Sequence, residues 1–310
     1  MTTKKKISVV VPVYKSQECI QALVNRVDEC LKEMDYELVL VNDCSPDKSW
    51  AEIKKTARSN KKVIGINLRK NSGQDNALMA GLAVVTGDYV VIMDDDLQHD
   101  PADIERMVKE LERADYDVCF ANFRTKKERL WKRIGSWLNG RMAEIIIKKP
   151  RHIYLSPFKI LRREIIDEIT KYVGPYPYVD GLIFTITQNV TQLNVEHHER
   201  FAGEGNYTFL KSILVGLKLM TGFSVFPLRV AIIIGAIVSI SGFLLSLVYF
   251  LRFFIVGEQV EGWTSLILVT LILGGIILIT MGIVGEYVGR SYIQLNKKPP
   301  YSVKEMLHRE

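Results

Sequence analysis

Residues 90–101 read VVIMDDDLQHDP. Four apolar residues, Val90 to Met93, run without a break into three aspartates, Asp94, Asp95 and Asp96. A short apolar run bounded by polar residues is the pattern of a buried strand. Adjacent carboxylates repel each other, so a strand that ends in three of them calls for positive charge. Similar runs occur at Ile7–Val13, Glu37–Asn42, Val63–Asn67 and Asp117–Ala121, with Tyr89–Met93 as the fourth of the five. Between them, Ile20–Lys32, Trp50–Ser59 and Asp75–Val84 carry apolar residues at helical period. Strand–helix alternation at this spacing predicts an α/β domain, a mostly parallel sheet with helices on both faces.

Such sheets bind ligands beyond the carboxyl ends of their strands. Polar residues cluster there: Pro12-Val13-Tyr14 after the first run, Asn42-Asp43-Cys44-Ser45 after the second, Asp94–Asp96 after the fourth. No GxxxxGK[ST] or GxGxxG follows the first run, so neither a P-loop nor a dinucleotide fold is supported. Carboxylates in place of a glycine-rich phosphate cradle suit a divalent cation, Mg²⁺ or Mn²⁺, bridging to a diphosphate. Asp100, immediately before Pro101, is read as the N-cap of a helix over Pro101–Leu111.

The chain has 310 residues, of which 48% are apolar and 25% charged, enough for one large or two ordinary domains. The apolar content is uneven. Val230–Leu251 is 22 residues without a charge and Trp263–Gly285 is another 23. Each is long enough to cross about 30 Å of hydrocarbon. Lys211, Lys218 and Arg229 precede the first, Arg290, Lys297, Lys298, Lys304 and Arg309 follow the second, and the connection 252–262 holds Arg252 beside Glu258 and Glu261. The positive-inside rule then puts both termini in the cytoplasm. The N-terminal MTTKKKISVVVPVY lacks a signal-peptide apolar core. The expected organisation is a cytoplasmic catalytic domain at 1–225, a membrane hairpin at 226–289 with spans at 230–251 and 263–285, and a cytoplasmic tail at 290–310. Two amphipathic segments, 128–148 and 207–223, are expected to lie at the bilayer surface. Cys19, Cys30, Cys44 and Cys119 form no CxxC pair and read as ordinary thiols. The net charge of +6 suits an anionic bilayer, and no nucleic-acid motif accompanies it.

The stretches VVVPVYKSQE (9–18), LVNDCSPDKS (40–49), NLRKNSGQDNALMAGL (67–82), TGDYVVIMDDDLQHDP (86–101) and GIVGEYVGR (282–290) resemble the polyprenyl-phosphate glycosyltransferases. These are GT-A-fold enzymes of glycosyltransferase family 2, akin to dolichol-phosphate mannose synthase and the bactoprenol glucosyltransferases. The resemblance implies transfer of a single hexose or N-acetylhexosamine from a UDP-sugar donor to a polyprenyl (undecaprenyl) phosphate acceptor, with Mg²⁺ or Mn²⁺, in a homo-oligomer such as a tetramer at the bacterial inner membrane. It implies that Pro12, Val13, Tyr14, Asp43, Ser45, Asp94 and Asp95 surround the nucleotide. Asp94 and Asp96 match the D-x-D metal motif, and Gln98 follows it at the donor or acceptor phosphate; these three are the catalytic candidates. Arg124, Lys132, Arg133, Ser136 and Arg200 are the candidates for the acceptor phosphate, arginine being suited by its fixed fork of donors.

A phosphomonoester with a second pKa of about 6 is already ionised at neutral pH, so positioning outweighs the need for a strong base. Attack opposite the leaving group would invert the anomeric centre, as the resemblance implies. The chain departs from the family pattern in three places. Tyr14-Lys15-Ser16 replaces Tyr-Asn-Glu; HIYLSPFKILRRE (152–164) lacks the Asp sometimes proposed as base, leaving His152 or Asp180; and 200–207 lacks a phosphate-facing Lys. His99 reads as a polar loop residue, and His197–His198 as non-ligating. The alternatives are transfer to a non-lipid glycan acceptor, or a nucleotide-sugar-binding scaffold without turnover.

Overall fold

In the computed structural model the described residues are 5–123, 144, 147, 149–174, 176–196, 226–256, 262–296 and 299–308. The chain divides into two compact units, Met1–Ser212 with Lys297–Glu310, and Ile213–Asn296.

The first unit is built on a single sheet. Its strands are β1 (Ile7–Val13), β2 (Tyr36–Asn42), β3 (Val63–Leu68), β4 (Tyr89–Ile92), β5 (Val118–Phe123), β6 (Lys159–Arg162), β7 (Val190–Val195) and β8 (Val303–Leu307). They lie in the order β7-β5-β6-β4-β1-β2-β3-β8. β4, β1, β2 and β3 are mutually parallel. β6 enters antiparallel between β4 and β5, and β8 is antiparallel on β3. The five strands expected from sequence are all present; β6, β7 and β8 were not anticipated.

Every residue of β1, β2, β3 and β4 is buried, as expected for strands covered on both faces. One face carries Val9, Val11, Leu38, Leu40, Val91, Met93, Cys119 and Ile160. They share one apolar core with residues of α1 (Ile20–Leu31), α2 (Ser49–Ser59) and α4 (Asp103–Arg113). The other face receives α3 (Gln74–Leu82), α5 (Arg163–Ile169) and α6 (Val179–Ile186). At Gly81 an added Cβ would lie 2.5 Å from Val10 and 3.0 Å from Val41, so only glycine lets α3 sit this close to β1 and β2.

The fourth helix starts at Asp103, not at Pro101. Asp100 still accepts the Ala102 backbone N–H at 3.0 Å. Its carboxylate is claimed mainly by Arg26 of α1, through a two-pronged pair at 3.1 and 2.9 Å. A charge-assisted fork outweighs one capping bond. Asp100 therefore ties α1 to the start of α4 rather than acting as the expected cap.

The second unit contains α7 (Phe226–Val256) and α8 (Trp263–Leu295). Both are long and apolar enough to cross a membrane, with windows Leu228–Leu245 and Ile272–Leu295 of mean hydropathy 2.3 and 1.8 and no residue in them buried. The GIVGEYVGR stretch lies within α8, where Arg290 bonds Glu286 one turn back at 2.8 Å.

Candidate active site

Because β4, β1 and β2 are neighbours, the three polar clusters that end them converge on one crevice. Asp43 is buried, and its two carboxylate oxygens accept the backbone N–H groups of Ser72 at 2.7 Å and Gly73 at 2.9 Å. Gly73 has φ +90°, a conformation that side-chain-bearing residues resist. The carboxylate thus shapes the loop that opens α3. Burial pushes the Asp43 carboxyl up, and the two backbone donors offset this only in part. Each oxygen keeps another lone pair, so Asp43 remains an acceptor toward the crevice.

Ser45 works between loops. Its hydroxyl accepts the Lys15 N–H at 2.8 Å and donates to Asp47 at 2.5 Å. Lys15 and Cys44 both sit at left-handed φ, 59° and 51°, a cost of order 1 kcal/mol each that this clip helps to hold. Pro12 and Val13 are buried strand residues, whereas Tyr14 is 45% exposed at the crevice lip.

The three aspartates separate in role. Asp95 turns toward the loop after β1, accepting the Tyr14 N–H at 3.4 Å. Asp96 accepts the Gln98 N–H at 3.2 Å across Leu97, which has φ 59°. Asp94 accepts the Gln74 side-chain amide at 2.9 Å. Burial, then Asp96 and Asp95, push the Asp94 carboxyl up to about 7, against the opposing charge of Lys159. Burial pushes Asp95 up to about 6, opposed by Ser16 and Tyr14. The cluster resists carrying its full negative charge without a cation.

Lys159 is the residue that sequence reading missed. It is 3% exposed, pairs with Asp180, and its Nζ lies 5.6 Å from the centre of the Phe120 ring. The available signal was its place inside the apolar run Phe158-Lys159-Ile160-Leu161. Asp180 is therefore already engaged by an ammonium. His152 is exposed. His99 is not a polar loop residue: it is 4% exposed, stacked between Phe123 and Phe158 with ring centroids 5.3 and 5.4 Å away. It props the segment after Gln98 from below. Arg124, Lys132, Arg133, Ser136, Arg200, His197 and His198, with nearly all of the two expected surface helices, lie outside the described residues.

Among the described residues no three His, Cys, Asp or Glu side chains are arranged to hold a metal by themselves. The donor set nonetheless fits Mg²⁺ or Mn²⁺, because such ions commonly take one or two carboxylates and complete their shell with water and substrate phosphates. Asp94 and Asp96 are the residues that would hold it.

Residues 8–170 match the model of glycosyl transferase family 2. The chain is 31% identical over 309 residues to the undecaprenyl-phosphate 4-deoxy-4-formamido-L-arabinose transferase of Photorhabdus laumondii, covering 98% of this chain and 94% of that protein. It is 32% identical over 308 residues to the enzyme of the same name from Serratia proteamaculans, with the same coverage. Among solved structures, glucosyl-3-phosphoglycerate synthase of Mycobacterium tuberculosis bound to UDP superposes with TM-score 0.53 at 16% identity, over 70% of this chain and 78% of that one. The same enzyme with Mn²⁺, UDP and its product gives TM-score 0.53 at 18% identity. These structures share the GT-A fold.

Proposed function

The chain belongs to glycosyl transferase family 2, and from that premise we propose that it moves one sugar from a UDP-sugar to undecaprenyl phosphate at a membrane surface. The observation that carries this is a coincidence within one chain. A carboxylate-lined crevice and two long apolar helices occur together, in a sequence that aligns over 98% of its length with transferases named for undecaprenyl phosphate.

Asp43, Tyr14 and the Ser72–Gly73 loop would border the nucleotide. Asp94 and Asp96 would hold Mg²⁺ or Mn²⁺, which when bound neutralises the departing diphosphate. Gln98 would face the phosphates. Arg124, Lys132, Arg133, Ser136 and Arg200 would hold the acceptor phosphate. That acceptor is already ionised, so no strong base is required, and the commitment of Asp180 to Lys159 is consistent with this.

The organisation proposed is a cytoplasmic catalytic domain at 1–225, a hairpin at 226–289 and a tail at 290–310, assembled as a homo-oligomer in the bacterial inner membrane. The return of β8 to the catalytic unit after α8 supports an even number of crossings.

A radiolabelled donor panel with undecaprenyl phosphate tests the proposal. It should include UDP-hexoses, UDP-N-acetylhexosamines and the UDP-4-deoxy-4-formamido-arabinose suggested by the relatives. Label should enter the lipid fraction with one donor, disappear with EDTA and return with Mn²⁺ or Mg²⁺. Label found only in a non-lipid glycan would reject the lipid acceptor.

A further inference from the structure

We propose that Lys159, held by Asp180, is a positioning residue that fixes the Asp94 carboxylate for the donor diphosphate and its cation. The inference rests on the proposed function and names a residue that the D-x-D reading leaves out. In the antiparallel pairing of β6 with β4, Lys159 lies opposite Ile92, two residues before Asp94. Lys159 therefore stands at the strand end from which the chain leads into Asp94.

A chain of contacts runs from Asp94 back to Lys159. Gln74, the first residue of α3, donates to Asp94 at 2.9 Å. Its neighbour Asp75 accepts the backbone N–H of Val179, the first residue of α6, at 3.2 Å. The next residue, Asp180, pairs with Lys159. Asp94 is thus held from α3 by Gln74, and Gln74 is tied through Asp75 and the start of α6 to the Lys159–Asp180 pair.

Stability alone does not account for the pair. Lys159 is buried against the Phe120 ring, which in turn stacks on Phe184 at 5.9 Å. In such a place apolar residues of similar volume are often as stabilising as an ion pair, while removing one partner leaves a costly lone charge. What an apolar pair cannot do is hold a carboxylate in one orientation at the lip of the crevice. Outer residues that orient a metal ligand are typically worth about 10–100-fold in metal affinity or activity.

The test uses the full-length protein in detergent, with UDP binding titrated in Mn²⁺ by calorimetry alongside thermal unfolding and turnover. Lys159→Met should lower both Tm and UDP–Mn²⁺ affinity, because it strands Asp180. The double variant Lys159→Met/Asp180→Leu should regain the wild-type Tm while its affinity for UDP–Mn²⁺ stays at least ~10-fold weak. Lys159→Arg, which keeps the charge, should recover part of the binding. Wild-type binding in the double variant would reduce the pair to a structural contact and overturn the inference. Failure of the wild-type protein to bind UDP with Mn²⁺ is a different result, and it would remove the proposed function and this inference together.

Discussion

A carboxylate is defined by what already occupies its oxygens, and the three neighbouring aspartates differ on that count. Asp95 holds the backbone of the loop after β1, whereas Asp94 and Asp96 stand toward the crevice. Asp96→Asn and Asp94→Asn should each cost about 10²–10³-fold in turnover, the scale of losing a preorganised electrostatic contact. Asp95→Asn keeps an acceptor for Tyr14 and should cost far less. Equal losses at all three in the same lipid-transfer assay would refute the D-x-D assignment. A second carboxylate, at the opposite end of the sheet, governs stability instead. Glu37 is buried, accepts Lys6, Ser8 and both the N–H and hydroxyl of Thr86, and those bonds overcome the cost of burial to hold its pKa at about 2. A depressed folded-state pKa contributes stability that is full above the unfolded value of 4.5 and is lost as pH falls toward 2. The contribution is on the order of 2–3 kcal/mol. The Tm difference between wild type and Glu37→Gln should therefore be largest near pH 6 and should shrink steadily below pH 4.5. A difference independent of pH would mean the ionised form is not what matters.

The elements that position the site were legible where local pattern and burial coincide. β1 to β4 are predominantly apolar runs buried on both faces, so each could be read from its own residues. β6 begins with Lys159 and ends with Arg162, half of β7 is polar, and β8 lies more than 230 residues from its partner β3. Their pairing is a tertiary fact that no local period encodes. The same limit hid the chain of contacts from Asp94 to Lys159, whose members come from α3, α6 and β6, while the aspartates themselves stood out because they adjoin one apolar run. β8 carries a prediction of its own. It covers the β3 edge, with Ser302 accepting the Arg69 N–H at 2.8 Å and Glu305 meeting Trp50 at 3.2 Å and Lys54 at 3.4 Å. β3 leads directly into the loop that Asp43 anchors. Truncation after Pro300 should lower the Tm of the catalytic unit by roughly 3–8 °C and weaken UDP binding, as expected for losing a few kcal/mol of edge pairing. An unchanged Tm would show that β8 contributes nothing to the sheet.

For the whole chain the decisive question is which side of the bilayer each segment of the proposed hairpin faces. At 1.5 Å per residue, the 31 residues of α7 and 33 of α8 extend roughly 46 and 50 Å, beyond a hydrocarbon layer of about 30 Å. The chain leaves the catalytic unit before α7 and rejoins it as β8 after α8. A strand hydrogen-bonded to β3 must share its compartment, which agrees with the proposed pair of crossings. The proposed cytoplasmic orientation follows from the basic residues flanking the helices, against Glu258 and Glu261 between them. Gln259→Cys should therefore react with a membrane-impermeant maleimide in intact cells, whereas His308→Cys should react only after permeabilisation. Cys44, exposed in the catalytic unit, supplies an internal control that should follow His308→Cys. Labelling of both engineered positions from outside would break the hairpin. Labelling of His308→Cys and Cys44 alone would keep the hairpin and reverse its orientation, which would remove the crevice from any cytoplasmic pool of nucleotide sugar.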